Sequence, residues 1–349
     1  MSQLYSVTVQ APAKLNLSLD VVGLLPGGYH SLDMIMQAVT LYERVELHRS
    51  AQLTLTLPGS TVSAGADNTA LKAARAFFGY TGLEGGADIL VYKSVPVRAG
   101  MAGGSADAAA VLVGLNVLYD AKLSFSELCA LGAGIGADVP FALMGGTCRV
   151  QGVGDLIRAL PPCPDCWFTV VMPGYGVSTP EAFAAYDRIG ASHRPDCAAQ
   201  ETAVRAGSLE ALCAAAGNAL EECSGAPDNE AIKALLRQQG AQAALMTGSG
   251  AAVFGVFTQE QAARAAAAAA RMACSGWNGA ASATGLKAGS ARVTIHTIPA
   301  TAVKRFMTPP AMPGIGWIIS RMAQWQLVRT FIRNPTAASG CVTMKTATW

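Results

Sequence analysis

Residues 87–119 read ADILVYKSVPVRAGMAGGSADAAAVLVGLNVLY. An apolar run, Ile89, Leu90, Val91 and Tyr92, comes first, and Pro96, Gly100, Gly103 and Gly104 punctuate the middle. From Ser105 onward, Val111, Leu112, Leu115 and Leu118 recur at helical spacing. The stretch predicts a strand, a glycine loop and a helix. Glycines let a backbone approach a ligand closely, and the free amides and dipole at a helix start favour an anion, so a phosphate suits this loop. A Walker A loop requires a lysine before the Ser, and Gly103-Gly104-Ser105-Ala106 has none. Gly100 and Gly103 also miss the spacing of a dinucleotide fingerprint. Two readings stay open: a phosphate loop of another kind, or a glycine turn joining a packed strand to a packed helix.

Working outward, residues 6–20 alternate, with Leu15, Leu17 and Leu19 on one face and Lys14, Asn16, Ser18 and Asp20 on the other. That is the pattern of a half-buried strand, its polar face solvated or turned to a ligand. Pro26-Gly27-Gly28 predicts a turn with Tyr29 and His30 at its exit, and further strands follow near 44–48 and 53–57. Asp67 or Asn68 can cap a helix to about residue 78, and Ser124 with Glu127 forms a capping box. The next small-residue stretch contains Gly136-Ala137-Asp138-Val139-Pro140. Asp138 is there a candidate acid or base, or else a helix cap, and Pro140 is expected to hold Val139 extended.

A strand pair near 147–151 leads to Pro161-Pro162, a natural boundary. The expected division is residues 1–160, residues 161–300 and a basic tail, 301–349. The second part predicts a strand at 167–172, helices near 208–215 and 229–238, a helix at 262–273 and a closing strand at 292–298. Within it, Thr247-Gly248-Ser249-Gly250 forms a second small-residue loop between two apolar runs. In the tail, Ile318, Met322, Trp325 and Val328 fall near helical spacing beside Arg321, Arg329 and Arg333. The expectation there is a basic amphipathic helix, packed on its own protein or on an anionic surface.

Hydrophobic residues make up 51 % of the 349 and charged ones 14 %, which suits a globular rather than a disordered chain. The net charge of +2 hides an asymmetry: the tail carries six basic residues and no acid, leaving a body of net −4. A mildly acidic body argues against nucleic-acid binding. Of nine cysteines, Cys163 and Cys166 alone form a C-x-x-C pair, without a second pair at zinc spacing. No secretory signal and no apolar run of membrane-spanning length is recognisable. The expectation is a cytoplasmic protein, monomer or homodimer, acting on a small molecule.

Taken together, Pro12-Ala13-Lys14-Leu15-Asn16-Leu17 with Gly28-Tyr29-His30, the glycine loop from Pro96 to Ala109, Gly136-Ala137-Asp138-Val139-Pro140, and Thr247-Gly248-Ser249-Gly250 resemble the GHMP kinase superfamily in order and spacing. The first and third motifs resemble the branch that acts on the cytidine diphosphate derivative of methylerythritol, in the non-mevalonate route to isoprenoids. The resemblance implies an α+β, two-domain fold, with a ribosomal-S5-like N-terminal domain, a ferredoxin-like C-terminal domain and a site between them. It implies transfer of the ATP γ-phosphoryl group to the substrate's 2-hydroxyl, with Asp138 as base and Lys14 beside it. Gly100, Met101, Ala102, Gly103, Gly104, Ser105 and Ala106, following Pro96, would wrap the ATP phosphates, while Asn68, Lys93 and Asp107 would lie near the adenosine. Tyr29, His30 and Phe183 would hold the cytosine; Asn16, Thr179, Pro180, Gly248 and Ser249 would line the substrate side. Mg2+ is expected to arrive with ATP, with Ser105 a candidate ligand. Ala106 stands where many members carry a second serine, Asn218-Ala219-Leu220-Glu221 lacks an Asp found in a similar pattern, and the tail has no counterpart. The alternatives are another small-alcohol kinase of homoserine or mevalonate type, and a non-catalytic nucleotide-binding protein.

Overall fold

The computed structural model describes residues 4–273, 282–287, 292–297, 315–320 and 326–331. Strands β1 (Ser6–Leu24) and β2 (His30–Ser50) form a long antiparallel hairpin. Its turn bends through Gly27 and Gly28 at φ +96° and +84°, a backbone region that favours glycine. Strand β3 (Thr54–Thr56), helix α1 (Thr69–Thr81), strand β4 (Gly86–Tyr92) and helix α2 (Gly103–Leu118) follow. Asn68 caps α1, its side chain accepting from the Ala70 amide. The alanine-rich α2 lies directly on the sheet: a Cβ at Gly114 would stand 2.4 Å from Leu47 Cδ1. Helix α3 (Phe125–Ala133) starts with the expected Ser124–Glu127 capping box, and α4 (Val139–Met144) packs beside α2 and α3.

Strands β5 (Thr147–Gly152) and β6 (Leu156–Ala159) extend the sheet beyond β2. Strand β7 (Trp167–Met172) opens a second sheet, followed by helices α5 (Thr179–Ile189), α6 (Cys197–Ala206) and α7 (Leu209–Ala214) and by strand β8 (Gly217–Asn218), which returns to pair with β1. Then come α8 (Asn229–Gln238), β9 (Ala243–Met246), β10 (Val253–Phe257), α9 (Glu260–Ala273), β11 (Ser282–Lys287), β12 (Arg292–Thr297), β13 (Ile315–Ser320) and β14 (Gln326–Phe331). The first sheet has the path β13-β14-β12-β1-β2-β4-β3. The second is antiparallel throughout and ordered β11-β7-β10-β9, which by position in the chain is the 4-1-3-2 order of a ferredoxin-like unit. The two-domain α+β expectation is met.

Three local expectations are corrected. Strand β1 is buried on both faces: Lys14, Asn16 and Ser18 are no more exposed than 5 %, as are Leu15 and Leu17. Its alternation separates an apolar core face from a polar face enclosed by other loops, not by solvent. Val139 is the first residue of α4 rather than an extended one, because Pro140 sits in the first helical turn, where its missing N–H leaves no bond unmade. The tail segment expected as a helix is strand where it is described: β13 and β14 pair antiparallel, and β14 runs parallel to β12. Trp317, Ile318, Ile319, Val328, Thr330 and Phe331 are strand-favouring types, and that propensity outweighs a loose helical spacing. Arg321, Met322, Trp325 and Arg333 lie outside the described residues.

Candidate active site

Strand β1 delivers Lys14 and Asn16 side by side on its polar face. The Lys14 ammonium donates to Asn16 Oδ1 at 2.5 Å and stands 3.8 Å from Asp138 Oδ2. Asp138 occupies the position before α4, yet its side chain makes no capping bond, so the carboxylate stays directed at the lysine. The capping reading therefore fails for this residue. Burial disfavours the Lys14 charge more than Asp138 supports it, and its pKa is held below the usual lysine value.

Two glycine loops close over this pair. The first carries Gly100 at φ +72°, where a Cβ would stand 2.0 Å from the Thr247 carbonyl oxygen of the second. Thr247 ties the pieces together: its hydroxyl accepts from the Asn16 amide at 3.0 Å and donates to the Gly100 carbonyl at 3.4 Å. Asn218, to which no role was carried over, donates to the carbonyls of Met246 and Gly248 at 2.8 Å each. It thereby fixes the loop whose Gly248 backs onto Lys14 Nζ. Thr179 and Ser249 share a hydrogen bond of 2.8 Å on the far side of that loop. Helix α2 begins without a side-chain cap, after Ala102 in a left-handed conformation at φ 57°, and so presents unsatisfied amides to the cleft.

Every residue expected in the site lines one cleft of about 1300 Å³, with a single exception. The exception is Ala106, which is fully buried in the core under α2 with its amide bonded to the Ala102 carbonyl. An alanine fits there because the position faces the sheet, so the expectation of a phosphate contact is corrected. Asn68 and Lys93 reach the cleft wall with their polar atoms engaged by the protein. Asn68 caps α1 and donates to the Ser63 carbonyl. Lys93 pairs with Asp107 at 2.7 Å and with Glu43 at 2.5 Å. Burial opposes the Lys93 charge, but the two carboxylates outweigh it and raise its pKa; burial, with Glu43 adding, pushes Asp107 up to about 7.

Sequence reasoning missed Glu43, which is completely buried, receives the Ser94 amide at 2.7 Å, and lies against Gly103 under the first loop. An acid next to Arg44 at the middle of a strand carries no signal of burial until the loops are placed. Arg98 also went unmarked: it lines the cleft and, unlike Lys14 and Lys93, forms no ion pair among the described residues. On the other side of the cleft, His30 at the start of β2 stacks on Phe183 of α5, with ring centroids 4.5 Å apart and 22° between planes. Tyr29 stands at the rim, 68 % exposed.

A family model described as GHMP kinases N terminal domain matches residues 68–146, and one described as GHMP kinases C terminal matches residues 201–276. A 4-diphosphocytidyl-2-C-methyl-D-erythritol kinase from Pelotomaculum thermopropionicum is 39 % identical over 266 residues, covering 75 % of this chain and 93 % of the relative. A kinase of the same description from Bacillus subtilis is 39 % identical over 255 residues, 72 % of this chain and 88 % of its own. A crystal structure of 4-(cytidine 5'-diphospho)-2C-methyl-D-erythritol kinase matches with a TM-score of 0.67 at 33 % identity, covering 81 % of this chain and 99 % of that one. Homoserine kinase from Cytophaga hutchinsonii, at 18 % identity and a TM-score of 0.65, shares the fold. With both halves matched and the relatives covered over most of their length, the chain belongs to the 4-diphosphocytidyl-2-C-methyl-D-erythritol kinase family of the GHMP kinases.

Proposed function

We infer that this chain transfers the γ-phosphoryl group of ATP to the 2-hydroxyl of 4-diphosphocytidyl-2-C-methyl-D-erythritol. The observation that carries the mechanism is the Lys14–Asp138 pair, 3.8 Å apart where the two glycine loops meet. Asp138 accepts the hydroxyl proton as the oxygen attacks the γ-phosphorus, and the bond to the bridging oxygen breaks to release ADP. The Lys14 ammonium lies where negative charge gathers on the transferring group, and the amides at the start of α2 receive the chain of phosphates. Phosphoryl transfer depends mainly on positioning and charge stabilisation, so these parts are sufficient.

The cleft volume, about 1300 Å³, exceeds the roughly 300–1000 Å³ of a pocket for one drug-sized ligand and suits two nucleotides. Magnesium fits the donors present. Among the described residues no cluster of three acidic, His or Cys side chains stands ready for a metal, and Mg2+ in kinases is held largely by phosphate oxygens and water. Ser105, whose hydroxyl faces the loop bearing Asp138, is the side-chain oxygen donor that would hold it. When bound, the ion spreads the charge of the β- and γ-phosphates. The stacked His30 and Phe183 favour a pyrimidine-bearing substrate over homoserine or mevalonate, which have no ring to meet them. A cytoplasmic location, where ATP is abundant, goes with this reading.

Phosphorus NMR of the reaction mixture tests it. A new phosphomonoester on the 2-oxygen of the cytidyl substrate, formed in step with ADP, is expected. ADP with free inorganic phosphate, or a phosphate on another hydroxyl, would refute the assignment.

A further inference from the structure

His30 is held by more than its stack on Phe183. Its Nε2 lies 2.7 Å from Asp187 Oδ1, and Asp187 is one turn along α5 from Phe183. The His30 side chain is 13 % exposed, whereas that of Asp187 is 54 % exposed at the mouth of the same cleft. The stack fixes the plane of the imidazole, and the carboxylate fixes its rotation within that plane. An ionised carboxylate only accepts hydrogen bonds, so the nitrogen facing it carries the proton. In the neutral ring, Nδ1 then holds a lone pair and is an acceptor.

We propose that Asp187 is a positioning residue that sets His30 as a hydrogen-bond acceptor towards the cleft, and so selects a cytosine base over uracil. The proposal rests on the cytidyl-kinase reading above. Cytosine has one donor on its Watson–Crick edge, the 4-amino group. Uracil offers a carbonyl oxygen at that position and its own donor one ring position away, at N3. An Nδ1 lone pair that accepts from the cytosine amine therefore meets a second lone pair when uracil takes the same pose. A site built to bond a polar group rejects the analogue that leaves it unpaired, so the preference in kcat/KM is at least about tenfold.

The test compares the cytidyl substrate with its uridyl analogue, with ATP and Mg2+, in the wild-type enzyme, Asp187→Ala and Asp187→Lys. The wild type is expected to favour the cytidyl compound by at least about tenfold. Asp187→Ala lowers that ratio towards unity through the KM for the cytidyl compound, while the KM for ATP stays within about twofold. Asp187→Lys, whose ammonium only donates, turns Nε2 into the acceptor and Nδ1 into a donor, and moves the ratio towards the uridyl compound. A nitrogen-15 long-range correlation spectrum of the wild type reads the tautomer directly and is expected to show the proton of His30 on Nε2. A proton on Nδ1, or an unchanged ratio in Asp187→Ala beside normal wild-type turnover, would overturn the role of Asp187 and leave the kinase reading standing. Wild-type turnover of neither nucleotide substrate would overturn both.

Discussion

Lys14 is subject to opposing demands, and their sign has a measurable consequence. Burial is the larger influence and Asp138 the smaller, so the lysine loses its proton at a lower pH than a free lysine. Between that depressed value and the ordinary one, near 10.5, the folded state binds fewer protons than the unfolded state. This group therefore adds to stability as pH rises through that window, while the cation that the proposed transfer step uses is lost. The alkaline limb of kcat/KM should lie below the pH of ordinary lysine titration, and Lys14→Arg, whatever its absolute rate, should move that limb upward. An unmoved limb would assign it to another group. Asp138→Asn should still bind ATP but lose at least about 100-fold in kcat, the usual scale of general-base work; full turnover in this variant would remove Asp138 from the reaction. That Lys14 and Asp138 would share one cleft was legible in the sequence because each stands in a motif of the family. The burial of Ala106 and Glu43 was not, since whether a side chain in a helix start or a strand faces ligand or core depends on contacts from elements far away in sequence.

Among the elements, the two glycine loops hold each other in place. Gly100 has both a left-handed backbone and the Thr247 carbonyl in the space of any Cβ. Gly100→Ala should therefore cost about 2–4 kcal/mol in denaturant unfolding and raise the KM for ATP, because relief of the clash displaces the loop. Stability equal to the wild type would mean that the loops do not touch as described. Asn218→Ala leaves the Met246 and Gly248 carbonyls without their shared donor and should cost about 1–3 kcal/mol, with the loss in activity tracking the displaced second loop. A variant as stable and active as the wild type would deny Asn218 this role. Most elements were readable from period, caps and turns: β7 and α8 have the predicted bounds, and the capping box of α3 is formed. Helix α6 was not foreseen. Its Gln200 is fully buried, donating to the carbonyls of Leu17 and Leu212, so a polar residue stands where a sequence pattern looks for an apolar one.

For the whole molecule, the decisive feature is that α5 and the loop between β9 and β10 meet the long β1–β2 hairpin and the first glycine loop at the cleft, so each half supplies a wall. Both halves were foreseeable through the family motifs; the return of β8 to β1 was not, because pairing across 199 residues leaves no local trace. Among the described residues, all that line the cleft precede Ala251, whereas the tail strands β13 and β14 join the first sheet beyond β12. Truncation after Thr301 should consequently leave kcat and both KM values within about twofold, as expected when no site contact is lost. A larger loss in a truncated protein that remains folded by circular dichroism would mean that the tail reaches the cleft. The central claim is tested most directly by ADP release with ATP and Mg2+ across four acceptors: 4-diphosphocytidyl-2-C-methyl-D-erythritol, free methylerythritol, homoserine and mevalonate. Turnover with the cytidyl compound alone is the predicted result. Equal or better turnover with any of the three simple alcohols would contradict the substrate assignment, and none with any acceptor would contradict the kinase itself.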